Sequence, residues 1–254
     1  MIADVETMRF ASFNGTELAV HRMGEGRPVV LLHGLFSSAQ MNWIKFGHAA
    51  KLAGAGFEVI MPDLRAHGES GAPQDSGAYP DDVLAKDVAA LVERFELSDF
   101  DLVGFSLGAR TAARAVINGL KPRRLALVGM GLEGLSGWDD RAAFFIDAID
   151  RFDDIKRGDP AFMAASFMKT MKVDRVAARL LLQSVSDAEP EALASALTMP
   201  TLVLCGREDS DNGSPETLAD LLADGRLVEM PGTHMGSVTE GALGDELVRF
   251  LAAY

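Results

Sequence analysis

A chain of 254 residues, 48% hydrophobic and 24% charged, is long enough to bury a substantial core within one domain. Its net charge of −13 would repel a phosphate backbone or an anionic lipid surface, which excludes nucleic-acid binding and polybasic attachment to membranes. The single cysteine, Cys205, excludes an intramolecular disulfide, and no apolar run approaches the length of a bilayer-spanning helix.

The segment Met1–Phe13 has no basic stretch followed by an apolar one, so no signal peptide is expected and the expected compartment is the cytoplasm. A hairpin is predicted first, from Met8–Phe13, an Asn14-Gly15 turn and Thr16–Arg22. Short uninterrupted apolar runs follow at Val29–Leu32, Val59–Met61, Leu102–Val103 and Leu125–Val128, and later at Thr201–Cys205 and Leu227–Val228. Runs without alternation belong to strands covered on both faces, as in a parallel sheet between helices. Helical patterns separate them at Ile44–Ala55, Asp81–Phe95, Ser106–Asn118, Glu216–Ala223 and Glu240–Ala252. The alternation predicts an open α/β sheet.

Residues 132–198 break that rhythm. They read as four helices, Asp139–Phe152, Pro160–Met171, Arg175–Val185 and Glu191–Leu197, with no strand. Their apolar side chains are large and soft, including Phe144, Phe145, Met163, Phe167, Met168 and Met171. The insertion follows a strand C-terminus, so it is expected to be a lid on a core of residues 1–131 and 199–254.

The chemistry concentrates at Gly104-Phe105-Ser106-Leu107-Gly108, directly behind the apolar run Phe100-Asp101-Leu102-Val103 and before a helix. Strand, Gly-x-Ser-x-Gly and helix in that order make a nucleophile elbow, which holds a serine oxygen exposed above the first helical turn. A serine hydroxyl needs a base, and the base needs a third group to fix its tautomer. His234, in the loop Pro231–Gly236 after the last strand, reaches the same sheet edge and is the expected base. His21 and His48 are expected to be surface or packing residues, whereas His33 and His67 lie in loops at strand ends. Asp209 follows the strand ending at Gly206 and is the expected acid, with Glu208, Asp211 and Glu133 as competitors. The stretch Asp211–Gly213 is expected to be a mobile loop. Cys205, inside an apolar run, is expected to be a core residue.

These motifs, with His33-Gly34-Leu35-Phe36 and Asp63-Leu64-Arg65-Ala66-His67-Gly68-Glu69-Ser70, resemble the α/β-hydrolase superfamily along nearly the whole chain. The resemblance implies a mostly parallel eight-stranded sheet flanked by helices, with a helical cap inserted. It also implies an oxyanion hole from the backbone N–H groups of Leu35 and Leu107, and structural roles for His33, Arg65 and His67. Ala66 and Ala109 stand where many members have glycine. The loop after His33 has one glycine, which by resemblance suggests simple alcohol leaving groups.

The expected function is therefore a cofactor-independent, metal-free serine esterase acting on small carboxylic esters of short-to-medium acyl chain. Phe36, Phe105, Phe144, Phe145, Phe167 and Met235 are expected to line its substrate site. A lactonase, thioesterase, C–C bond hydrolase, perhydrolase or hydroxynitrile lyase would carry the same three residues. A catalytically silent ligand-binding member is the alternative of a different class. Dehalogenases and epoxide hydrolases of the fold have aspartate at the position of Ser106.

Overall fold

A computed structural model describes residues 4–253. Its centre is one eight-stranded sheet in the order β1-β2-β4-β3-β5-β6-β7-β8. The strands are β1 (Glu6–Ala11), β2 (Glu17–Met23), β3 (Arg27–Leu32), β4 (Phe57–Pro62), β5 (Asp101–Phe105), β6 (Leu125–Val128), β7 (Thr201–Gly206) and β8 (Gly225–Met230). Only the pairs β1–β2 and β2–β4 are antiparallel; from β4 to β8 every pair is parallel.

The central strands are buried on both faces, which is why their sequences do not alternate. Successive residues feed opposite cores. Val30, Leu32, Leu102 and Leu127 pack on one side, and Val29, Leu31, Val103 and Ala126 on the other. The helices are α1 (His48–Gly54), α2 (Val83–Arg94), α3 (Leu107–Ile117), α4 (Leu132–Ser136), α5 (Trp138–Asp150), α6 (Phe162–Met171), α7 (Arg175–Gln183), α8 (Pro190–Ala196), α9 (Pro215–Leu221), α10 (His234–Ser237) and α11 (Gly241–Leu251). The core facing α2 and α3 continues into α4 to α8 through Leu135, Trp138, Met168, Leu181 and Leu193. The other core is closed by α1 and α11.

Two local expectations are corrected. The helix predicted over Ile44–Ala55 is split: a π-helical turn at Gln40–Ile44 ends before Gly47, whose φ of 81° interrupts the helix, and α1 starts at His48. The split seats His48 in the core, where its Nε2 donates to Val238 O at 2.7 Å. The hairpin connection is also wider than a two-residue turn, because Ser12 N–H pairs with Thr16 O and Gly15 N–H with Ser12 O.

Candidate active site

Ser106 sits between β5 and α3 at φ 53° and ψ −113°, a conformation that L-residues seldom adopt. The turn closes because its flanking residues lack side chains. A Cβ on Gly104 would lie 2.2 Å from Gly108 O, and one on Gly108 would lie 2.2 Å from Leu32 O. The backbone on both sides is held: Ser106 N–H donates to Val128 O at 2.9 Å, and Ala109 and Arg110 N–H donate to Ser106 O. Serine is thereby fixed at the C-terminal edge of the sheet.

His234 opens α10, and its Nε2 lies 3.0 Å from Ser106 Oγ. Its Nδ1 lies 2.9 Å from Asp209 Oδ2. With Nδ1–H donating to the carboxylate, Nε2 carries the lone pair that faces the serine. The Phe105 ring stacks on the imidazole, centroids 5.0 Å apart and planes 28° apart. Burial opposes ionisation of Asp209. The hydrogen bond and charge of His234, the Asp211 N–H and the Arg141 charge outweigh it and hold the carboxyl below its usual range. The competing acids have other partners or positions. Glu208 Oε2 accepts Gly232 N–H at 2.9 Å and Glu133 Oε2 accepts Ser214 N–H at 2.8 Å, while Asp211 is exposed. Ligand atoms of Asp209, Asp211 and His234 come within 4.8 Å of one another, but the nearest two are joined by their own hydrogen bond.

The 33–36 loop is braced by two buried imidazoles. His33 Nδ1 donates to Gly34 O at 2.8 Å and its Nε2 accepts Leu64 N–H. His67 Nδ1 donates to Arg65 O and its Nε2 accepts Phe36 N–H, both at 2.9 Å. Both rings are neutral in this arrangement. Burial pushes the pKa of His33 down and that of His67 down to about 3. Phe36 N–H and Gly34 N–H are thus occupied, the latter by Asn42 Oδ1 at 3.1 Å. Leu35 N–H has no acceptor among the described residues, and Leu107 N–H, first in α3, has none within the helix. Both residues border the same cavity as Ser106.

That cavity has a volume of about 810 Å³. All six expected lining residues, Phe36, Phe105, Phe144, Phe145, Phe167 and Met235, face it. Met163 joins them, whereas Met168 is core and neither it nor Met171 reaches the cavity. Among the lining residues that sequence reasoning missed are Arg110, Arg141 and Asn212. Asn212 also overturns the expectation of a mobile 211–213 loop. It is buried, its Nδ2 donates to Gly129 O at 2.8 Å, and its carbonyl accepts Gly131 and Gly134 N–H. The only local signal is the clustering of glycines near residue 131, where a Cβ would collide with Gly213. Cys205 is buried as expected, and burial pushes its thiol up to about 12.

A family model described as the alpha/beta hydrolase fold matches residues 27–153, half of the chain. The chain belongs to that family. Over 115 residues it is 33% identical to an epoxide hydrolase of Caballeronia sordidicola, covering 45% of this chain and 33% of that protein. Over 129 residues it is 30% identical to an N-formylmaleamate deformylase of Pseudomonas putida, covering 50% of this chain and 46% of that protein. The chain thus matches about a third to a half of the length of these curated relatives. In fold, it superposes on an esterase from Exiguobacterium antarcticum with a TM-score of 0.78 at 20% identity, covering 98% of this chain and all of that one.

Proposed function

We propose that this chain is a serine hydrolase that cleaves carboxylic esters of short-to-medium acyl chain through an acyl-enzyme. The observation that carries this reading is the relay Asp209–His234–Ser106, with contacts of 2.9 and 3.0 Å, beside two free backbone donors. Ser106 Oγ attacks the ester carbonyl while His234 Nε2 takes its proton. The carbonyl oxygen becomes an oxyanion between Leu35 and Leu107 N–H, which are fixed before the charge develops. The tetrahedral intermediate collapses as His234 returns the proton to the departing alkoxide. Water, deprotonated by the same imidazole, then attacks the acyl-enzyme and frees Ser106. Asp209 stays ionised throughout and balances the imidazolium.

In this reading residues 132–198 form a cap over a core of residues 1–131 and 199–254. Phe144, Phe145, Met163 and Phe167 face the cavity from α5 and α6 and supply its apolar wall. Ser106 argues against epoxide opening, because the family resemblance implies an aspartate at that position in epoxide hydrolases. Lactones and thioesters present the same carbonyl to the same groups, and a substrate panel ranks them. A fluorophosphonate should add one label, at Ser106, and Ser106→Ala should lose both the label and ester turnover. Undiminished hydrolysis by folded Ser106→Ala would refute the proposal, and absence of label from the native chain would favour a silent ligand-binding role.

A further inference from the structure

Most arginines shielded from solvent in this chain have carboxylate partners; among the described residues Arg124 and Arg141 have none, and of these two only Arg141 borders the cavity. Arg65 pairs with Asp87 at 2.6 Å, Arg114 with Asp82 at 2.7 Å and Arg110 with Asp187 at 3.0 Å. Arg141 differs. It is half-buried on α5 and borders the cavity that holds Ser106. Its Nη1 donates to Asp211 O at 2.6 Å, and among the described residues its guanidinium has no further hydrogen bond and no ion pair. The Phe145 ring lies 5.8 Å from its guanidinium carbon and covers part of it.

A guanidinium does not shed its charge, so partial desolvation without a counter-ion is unfavourable until an anion arrives. Burial is the leading influence on Arg141, ahead of the opposing charges of Asp211 and Asp209. The acidic side chains bordering the cavity do not neutralise it. Glu133 is bonded to Ser214 N–H, and Asp140 and Asp211 are exposed and outside ion-pair distance of Arg141. Arg110 also lines the cavity, one helical turn after Ser106, but its charge is already paired with Asp187.

We propose that the substrate carries a carboxylate, and that the guanidinium fork of Arg141 binds it within the cavity that holds Ser106. Such a fork suits a planar carboxylate through two parallel N–H contacts. Phe144, Phe145 and Phe167, which line the same cavity, accommodate the intervening carbons. The substrate class is then a half-ester of a dicarboxylic acid, or an ester of a carboxylate-bearing alcohol.

This inference rests on the serine-hydrolase reading, and the test separates the two. Monophenyl glutarate and phenyl pentanoate share one reacting ester and differ by a terminal carboxylate in place of methyl. Phenyl butanoate and its 4-carboxyphenyl counterpart place the same difference on the alcohol half. After correction for uncatalysed rates, the carboxylate member of at least one pair should have a kcat/KM at least tenfold above its neutral partner. Arg141→Gln should collapse that ratio at least tenfold, through KM, and Arg141→Lys should retain part of it. A native ratio near one overturns the proposal, as does a ratio unmoved by Arg141→Gln or an equal loss of both members of a pair. If the native protein hydrolyses none of the four esters, the hydrolase reading fails and the anion site is judged by calorimetric titration with the same compounds. Tenfold tighter binding of a carboxylate member, abolished by Arg141→Gln, would uphold the site; equal affinities would overturn it.

Discussion

Acid should destabilise this protein well before its carboxylates protonate, and His67 is a main reason. Its two ring nitrogens are committed in opposite senses, Nδ1–H to Arg65 O and Nε2 as acceptor of Phe36 N–H. A second proton would set two donors face to face in a site with no solvent, so the folded ring resists protonation down to about pH 3. In the unfolded chain the same ring titrates near about 6.5. Between these values the unfolded state binds more protons than the folded one, so stability is complete above about pH 6.5 and declines as pH falls. At pH 5 the difference amounts to about 2 kcal/mol from His67 alone. His33 and His48, also held below the ordinary histidine range by burial, act in the same direction. His21 acts oppositely, because its hydrogen bond to Asp63 raises its pKa and favours the protonated folded state in acid.

The substitution that isolates the effect is His67→Gln, whose amide oxygen can still accept the Phe36 N–H. Urea unfolding of both proteins at pH 7.5 and pH 5.0 gives the loss for each. The native protein should lose about 2 kcal/mol more than the variant over that interval. Parallel losses would refute the reasoning, since they would mean that His67 takes up its proton without leaving the fold.

The remaining expectations concern the elbow and the acid. Gly108→Ala places a methyl 2.2 Å from Leu32 O and 2.8 Å from His33 O. Neither backbone atom can turn aside, so thermal or urea unfolding should show a loss of about 3 kcal/mol. Asp209→Asn should lower kcat about ten-thousand-fold, by analogy with the same change in the serine-protease triad. Glu208→Gln and Asp211→Asn should each stay within about tenfold of native, or about 1.4 kcal/mol in barrier. A crippled Asp211→Asn beside a mild Asp209→Asn would reassign the acid.

Much of the fold was legible because its signals are local. Each parallel strand is a short apolar run bounded by turn residues, and the elbow occupies five consecutive positions. The juxtaposition of Ser106, Asp209 and His234 followed from topology, since all three sit just past the C-terminal ends of parallel strands. What stayed hidden depends on contacts distant in sequence. Arg110 reads as an ordinary helix residue until Gly134 O, the Trp138 ring and Asp187 close around it. Asn212 looks like a loop residue until Gly131 and Gly134 press their N–H groups onto its carbonyl. The split before His48 turns on a single backbone angle at Gly47, in a stretch whose composition otherwise favours continuous helix.

The elbow's geometry has an energetic consequence that can be measured apart from catalysis. Ser106 is held at φ 53° by three backbone hydrogen bonds around it, so the chain, rather than the side chain, imposes the conformation. A residue with a Cβ in such a region is strained by roughly 1–3 kcal/mol. Ser106→Ala keeps the Cβ and hence the strain, whereas Ser106→Gly removes it. Glycine also gains unfolded-state entropy, which offsets about 0.5–1 kcal/mol of the relief. The glycine variant should therefore be the more stable of the two inactive proteins by about 1 kcal/mol. Urea unfolding at pH 7.5 compares them directly, with neither protein turning over ester. If Ser106→Gly is the less stable, the backbone at the nucleophile is not strained, and the serine owes its exposed position to side-chain contacts instead.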